Sequence, residues 1–426
     1  MTRKKRKTSG ARRRVYRIAR KKFRRSGVIV ARRKSRSSVG NRAEGIRRNA
    51  FQTGRHEGFE RGRRDGYALG LERGRAAAAA QPPAPTPSLL PPVDALVVSA
   101  GYIASMDIII IQPFEALRRR GGFSYAIHEE GTVTREMIAA AHTIVFVRNV
   151  EPAALELLKV AHELGKRTIY VIDDNFLEIP PTSEVGRYYR DPERQEACRQ
   201  FLTLAHIVKV DAPELGSYIE AVFNRPTMYF SASVDFEWLD GVERLPRQSG
   251  PLVIGYEGTS KEEEFAAVVP ALRRILRYYG GFVSFEFIGY MPPGLEGLPN
   301  ITYTEGGVDY RTFIRSLKQR AWDIGIAPLS TTLFNNGKTN NKLREYSACG
   351  IPGIYSDSPV YRPWVTHGEN GYLVPHTEEG WYAGLCTMID NPDLREQIRI
   401  QAETKARELF SLDNCADAWR EHIFGH

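Results

Sequence analysis

Short apolar runs and longer stretches of helical spacing alternate from residue 95 to residue 327, and few folds accommodate that alternation. Residues 95–100, 143–148, 168–172 and 207–210 read as strands, with helices at 106–119 and 152–164 among them. A loop around residues 235–250 opens a second series, with strands at 252–256, 283–289 and 323–327 and helices at 262–279 and 310–320. Strands joined through helices pair in parallel, because the crossover returns the chain to the same edge. Two such series predict two Rossmann-like domains of the α/β class, 93–240 and 250–410, and a helix-rich end at 379–423. Open sheets of this kind bind ligands at the carboxyl ends of their strands. The residues that follow each strand therefore carry the functional reading.

The richest such stretch is Asn335-Asn336-Gly337-Lys338-Thr339-Asn340-Asn341-Lys342-Leu343-Arg344-Glu345-Tyr346, between apolar runs at 322–329 and 351–355. Asn and Thr at one end, with Gly350 and Pro352 at the other, are start and stop signals for one short helix. Lys338, Lys342 and Glu345 stand four and three residues apart and are expected to share a face of it. Two cations and a carboxylate there suit a ligand with phosphates at one end and hydroxyls at the other. The free N–H groups and the helix dipole add to the attraction for phosphate. The plainer alternative is a surface ion pair, Lys342 with Glu345, on a solvated helix.

Gly255-Tyr256-Glu257-Gly258-Thr259-Ser260 ends the first strand of the second series, and Lys261 follows. Gly258, Thr259 and Ser260 can offer N–H and hydroxyl donors to a diphosphate, and Lys261 can add charge. A tight strand–helix turn is the alternative. Phe287-Ile288-Gly289-Tyr290 ends the next strand. In the first series Arg148-Asn149 and Asp173-Asp174-Asn175 end strands and should face a ligand edge. Paired carboxylates bind hard cations, but no Asp-x-Asp triplet occurs and no metal is expected. Cys198, Cys349, Cys386 and Cys415 are scattered, which argues against a structural zinc and for a reducing compartment.

Ala327-Pro328-Leu329, Lys338, Lys342, Glu345-Tyr346, Gly350-Ile351-Pro352, Tyr361-Arg362 and Glu369-Asn370-Gly371-Tyr372-Leu373-Val374 follow one another at telling intervals. In order and spacing they resemble the donor-binding region of retaining GT-B glycosyltransferases of the family 1/family 4 type, O-antigen or spore-associated subgroup. The resemblance covers residues 94–420. It implies the GT-B fold, two Rossmann-like domains with a cleft between, and a last helix, 411–426, that crosses back to the first domain. It implies transfer of a sugar, with retention, from a nucleotide-diphosphate sugar to an acceptor that the sequence does not name. Glu345 would hold the ribose. Lys338, Lys342 and the loop Gly258, Thr259, Ser260, Lys261 would meet the diphosphate, with Tyr290 near the nucleobase. Arg148, Asn149, Asp173 and Asp174 would contact hydroxyls on the acceptor side. Lys338, Glu345 and Asp174 are the catalytic candidates. Relatives of this kind carry a Glu eight residues before the ribose Glu, where this chain has Gly337. No cofactor is implied, because lysines and helix termini stabilise the leaving group in such enzymes.

The net charge of +10 divides unevenly. Residues 1–75 hold 27 Lys and Arg against five acids, a net of +22, which leaves −12 for the other 351 residues. Residues 1–53 are therefore expected to be a disordered basic arm. Its partner would be a polyanion, that is nucleic acid, anionic membrane or an acidic protein, through residues 1–50. Gly54, Gly58, Gly62, Gly66, Gly70 and Gly74 recur every four residues, so 54–75 reads as a segment that orders only on self-association or on a partner. Residues 76–92, rich in Ala and Pro, form a stiff spacer. No apolar run reaches eighteen residues, and no apolar region follows the basic start. The expected location is cytoplasmic, or peripheral to a membrane or an assembled surface layer. Two other classes stay open on the sequence: a scaffold with a degenerate transferase body assembled through the glycine repeat, and a polyanion- or DNA-associated protein working through the arm.

Overall fold

The computed structural model describes residues 90–244, 250–259, 261–320 and 322–425. The basic arm, the glycine repeat and residues 76–89 of the spacer lie outside them.

Strands β1 (Val93–Ser99), β2 (Tyr125–Glu129), β3 (Ala141–Val147), β4 (Arg167–Ile172), β5 (Ile207–Val210) and β6 (Met228–Tyr229) form one sheet in the order β2-β1-β3-β4-β5-β6. A second sheet holds β7 (Leu252–Glu257), β8 (Val283–Ile288), β9 (Ile301–Thr304), β10 (Ile324–Ala327), β11 (Gly353–Ser356) and β12 (Tyr372–Val374), ordered β9-β8-β7-β10-β11-β12. Every pairing in both is parallel. The inner strands are covered on both faces, which is why Leu96-Val97-Val98 and Ile144-Val145-Phe146 are unbroken apolar runs and not alternating ones. The principal helices are α1 (Gln112–Arg120), α2 (Pro152–Glu163), α3 (Pro192–Leu204), α4 (Pro213–Phe223), α5 (Val268–Tyr279), α6 (Tyr310–Arg320), α7 (Asn341–Ala348), α8 (Glu378–Asp390), α9 (Pro392–Leu409) and α10 (Leu412–Ala418). Proline opens α2, α3, α4 and α9, at a position where its missing N–H has no helical partner to lose.

Two Rossmann-like domains are thus present. Four strands were not anticipated. β2 is half-buried, β9 is mostly exposed, and β6 and β12 are only two and three residues long, so none carries a strong apolar signal. The single helix expected at 262–279 is two, Glu262–Phe265 and α5. The chain ties the domains together at its end. Val234 N–H donates to the Phe410 carbonyl at 2.8 Å, and α10 then returns to the first sheet. There the Trp419 indole donates to the Ile109 carbonyl at 3.1 Å, and its ring meets Phe114 edge-on at 4.9 Å. Arg120 of α1 pairs with Asp413 and Asp417. Among the described residues no helix is long and apolar enough to cross a membrane.

Candidate functional site

A cleft of about 760 Å³ opens between the two sheets. Ala104, Ser105 and Ile108, which follow β1, line one side, and residues at the carboxyl ends of β7, β8 and β9 line the other. In the second sheet the order reverses between β7 and β10, the place where a doubly wound sheet presents a ligand crevice. A volume of this size holds a cofactor-sized molecule. Its floor is backbone. Gly289 has φ 78°, and a Cβ there would stand 2.6 Å from the Gly258 carbonyl oxygen. A Cβ on Gly306 would stand 3.1 Å from the Gly289 Cα. Glycine at these strand ends lets three chain segments abut and leaves peptide groups facing the cleft.

Two lysines, Lys261 and Lys342, line this cleft, and a third, Lys338, stands near them. Lys342, in the first turn of α7, donates to Glu257 Oε1 at 2.7 Å and to the Glu257 carbonyl at 2.5 Å. Lys338 reaches across to Asp174 Oδ1 of the first domain at 3.3 Å and lies 4.1 Å above the Phe334 ring. Lys261 has Glu264 Oε1 at 3.6 Å. Burial, with the charges of Lys338 and Lys342, pushes the Lys261 ammonium down to about 8 despite Glu264 and Asp174. An ammonium depressed by its neighbours in this way is relieved by an anion placed beside it. Beside them Glu345 is buried and lines the same cleft. Burial and the neighbouring Glu257 push its carboxyl up to about 8, against Lys342, Arg344 and a hydrogen bond with the Tyr310 hydroxyl.

Two expectations about this segment are corrected. Lys338 is not on α7, which begins at Asn341 behind Asn340. The Thr332 hydroxyl accepts the Asn335 N–H at 3.0 Å and caps a separate turn, Leu333–Asn336, so Lys338 falls in the link. Its position comes from the pair with Asp174, not from helical spacing. The surface pair of Lys342 with Glu345 does not form either, because Lys342 is engaged by Glu257 and Glu345 is buried.

Arg148 and the Asp pair, each expected at a ligand edge, meet one another. Arg148 Nη1 lies 2.6 Å from Asp173 Oδ1 and 3.6 Å from Asp174 Oδ2, with the guanidinium over the Phe176 ring. The residue holds φ 59°, a left-handed conformation rare outside glycine. Burial, together with Asp174 and Asp211, holds the Asp173 carboxyl above the usual range in spite of Arg148. Burial would raise Asp174 too, but Lys338 and Arg148 outweigh it and hold that carboxyl below the usual range. A charged chain, Arg148–Asp174–Lys338, therefore links the two domains.

Asn149 does not join it. Its amide donates to Glu130 Oε2 at 2.7 Å and its carbonyl accepts from the Tyr170 hydroxyl at 3.0 Å, so it braces the first domain. Tyr290 also departs from expectation. Its ring packs on Phe265, 5.9 Å between centroids, and Gly289 lines the cleft in its place. Gly258 and Thr259 line it as expected, and Ser260 lies outside the described residues. A Cβ on Gly337 would be 3.3 Å from Asn175 Cβ and 3.6 Å from Leu215 Cδ1, so a side chain there would pack closely against the first domain. Among the described residues no three of His, Cys, Asp and Glu are grouped as metal ligands.

Sequence reasoning missed Glu257, Ser105, Tyr310 and the pair Gly306-Gly307, all of which line the cleft. The glycine pair closely follows β9, whose weak apolar signal gave no strand end to read. Ser105 had no local signal, since its role depends on two domains meeting.

No family model matches the chain, and no curated protein matches it. Solved structures do. HepE from Anabaena, in complex with UDP and glucose, is 13% identical with a TM-score of 0.55, over 78% of this chain and 99% of that one. Sucrose-phosphate synthase from Thermosynechococcus elongatus is 12% identical with a TM-score of 0.57, over 78% and 100%. A glycosyltransferase from Rickettsia africae is 12% identical with a TM-score of 0.55, over 78% and 97%. At this identity the likeness is one of fold, and the fold is GT-B.

Proposed function

We propose that this cleft binds a nucleotide-diphosphate sugar and transfers the sugar to an acceptor hydroxyl. Lys261 and Lys342 beside the buried Glu345 in one switch-point crevice, with Lys338 near enough to act on Lys261, carry the reading. Such a site is bipolar: cations for a diphosphate, a carboxyl for vicinal hydroxyls. In the transfer the bond from the anomeric carbon to the diphosphate breaks, and one to the acceptor oxygen forms. Negative charge grows on the departing diphosphate, and fixed lysines in a partly dry cleft stabilise it. Glu345 accepts the ribose hydroxyls, and donor binding favours loss of the proton that burial and Glu257 hold on it up to about pH 8. Ser105, Asp173 and Asp174 stand on the first-domain side, where the acceptor enters.

Retention follows in this reading from the resemblance to retaining enzymes, and the absence of a metal from Asp173 and Asp174 being matched by Arg148 and Lys338, which leaves no open carboxylate pair. HepE, in complex with UDP and glucose, supports a uridine nucleotide as the first candidate. The protein acts in the cytoplasm, and residues 1–50 hold it on a polyanion.

The test is donor turnover. Full-length protein in EDTA, incubated with a panel of UDP-, GDP-, ADP- and TDP-sugars, should release the nucleoside diphosphate from one donor. Lys338→Ala should slow that release more than it weakens binding. Absence of release from every donor, in the presence of EDTA and again with Mg²⁺ or Mn²⁺, would sink the proposal.

A further inference from the structure

Glu257 lines the cleft, yet the transfer gives it no direct part. It ends β7, one residue before the turn at Gly258. Its Oε1 accepts from the Lys342 ammonium at 2.7 Å, and its carbonyl accepts from the same nitrogen at 2.5 Å. An ammonium has three N–H donors, so one remains for a ligand. Two further neighbours fix the nitrogen. It stands 5.0 Å from the centroid of the Tyr256 ring, and a Cβ on Gly258 would come within 3.1 Å of it. Gly258 has φ 145°, which favours glycine and so keeps that space for the ammonium. Lys342 and Glu257 are only 14% and 13% exposed, so solvent screens this pair less than a surface pair.

The other two lysines also have carboxylate partners. Lys338 has Asp174 at 3.3 Å, and Lys261 has Glu264 at 3.6 Å. Of the three carboxylates only Glu257 lines the cleft. An anion that reaches Lys342 therefore meets a negative charge already seated on the same ammonium. Repulsion from that charge grows in proportion to the charge of the ligand. Donor and product differ in this respect. In a nucleotide-diphosphate sugar each phosphate carries a single negative charge. When the bond to the anomeric carbon breaks, its electron pair stays on the terminal phosphate, which then holds a second negative charge above a pKa of about 6. The transition state carries part of that added charge, and the free diphosphate carries all of it.

We propose that Glu257 is a specificity-determining residue: it holds the Lys342 ammonium ready and sets the cleft against the added charge of the free nucleoside diphosphate, so that product gives way to the next donor. The inference rests on the nucleotide-sugar reading above. Lys342 helps the diphosphate depart from the sugar, and Glu257 keeps it from staying in the cleft afterwards.

The experiment compares two ligands that differ by that one charge. Full-length wild type, Glu257→Gln and Glu257→Asp are titrated at pH 7.5 with UDP, GDP, ADP and TDP, and with the methyl ester of each on its terminal phosphate. The ratio is read for the nucleotide that wild type binds most tightly. In wild type the free diphosphate should bind within about threefold of its ester, although a cleft of unmatched lysines would favour the added charge strongly. Glu257→Gln keeps an acceptor for Lys342 and removes the charge, so there the free diphosphate should gain about five- to tenfold over the ester. Glu257→Asp keeps the charge and should keep the wild-type ratio. A wild-type preference for the free diphosphate beyond about threefold would overturn the proposal without any substitution, so a variant that fails to fold does not rescue it. A Glu257→Gln protein that shifts both ligands by the same factor would overturn it as well, and would leave Glu257 as a prop for Lys342 only. Failure of every nucleotide to bind wild type would instead remove the nucleotide-sugar reading itself, and this inference with it.

Discussion

Lys261 owes its low ammonium pKa to burial and to two neighbouring lysines, and a ligand should reverse that. Below about 8 the ammonium is charged and attracts an anion, and above it the charge is lost. Inorganic pyrophosphate, which has no ribose and so ignores Glu345, should bind more weakly as pH rises through 8. Calorimetry from pH 6.5 to 9.5 checks this, and Lys261→Met should flatten the profile. Glu345 gives a sign in the other direction. Its carboxyl titrates near 8 in the fold against an ordinary 4.5. Between those values the unfolded chain releases the proton and the folded one keeps it, so this group's contribution to stability falls as pH rises and is fully present only below 4.5. Glu345→Gln without ligand should match wild type near pH 4.5 and be the more stable protein above pH 8, by a few kcal/mol. Thermal unfolding across that range decides it. At this scale the sequence was partly legible. Residue types at strand ends named Lys338, Lys342, Glu345, Arg148 and Asp174. Asn149 and Tyr290 were misplaced because the direction of a side chain after a strand end is set by packing, here against Glu130 and Phe265.

Among elements, the glycine contacts at the ends of β7, β8 and β9 are the most exacting part of the cleft. Gly289→Ala would force a Cβ onto the Gly258 carbonyl in a left-handed conformation. The expected loss is about 1–3 kcal/mol of stability, with nucleotide binding weakened further because the floor itself shifts. Denaturant unfolding and titration of the same sample separate the two effects. Elements with long apolar runs, such as β1, β3 and β7, were readable from pattern, since both faces of a parallel sheet are covered. The mostly exposed β9 and the two-residue β6 were not. The break between Leu333–Asn336 and α7 was also hidden, because Asn and Thr signal a helix start equally well at Thr332 and at Asn340.

For the whole molecule, the cleft depends on two passages of the chain between domains, near Val234 and at Phe410, and on α10 docked against the first sheet. β1 begins at Val93, and Leu89–His426 form one compact unit. Removal of residues 1–88 should leave a body that unfolds in one cooperative transition and binds nucleotide as the full chain does. Only the full chain should bind DNA or anionic vesicles with a steep salt dependence, since 27 of its 60 Lys and Arg lie within residues 1–75. The division of charge was visible in composition, whereas the meeting of Lys338 with Asp174, 164 residues apart, needed the fold. The central claim is that this meeting place binds a sugar nucleotide. Calorimetric titration of a nucleotide-sugar panel, in EDTA, into wild type, Glu345→Gln and Lys338→Ala tests it most directly. The account predicts binding by wild type, a loss on the order of tenfold or more in Glu345→Gln as charged hydrogen bonds to ribose weaken, and a smaller loss in Lys338→Ala. Equal affinity of all three proteins, or no binding by any, would contradict it.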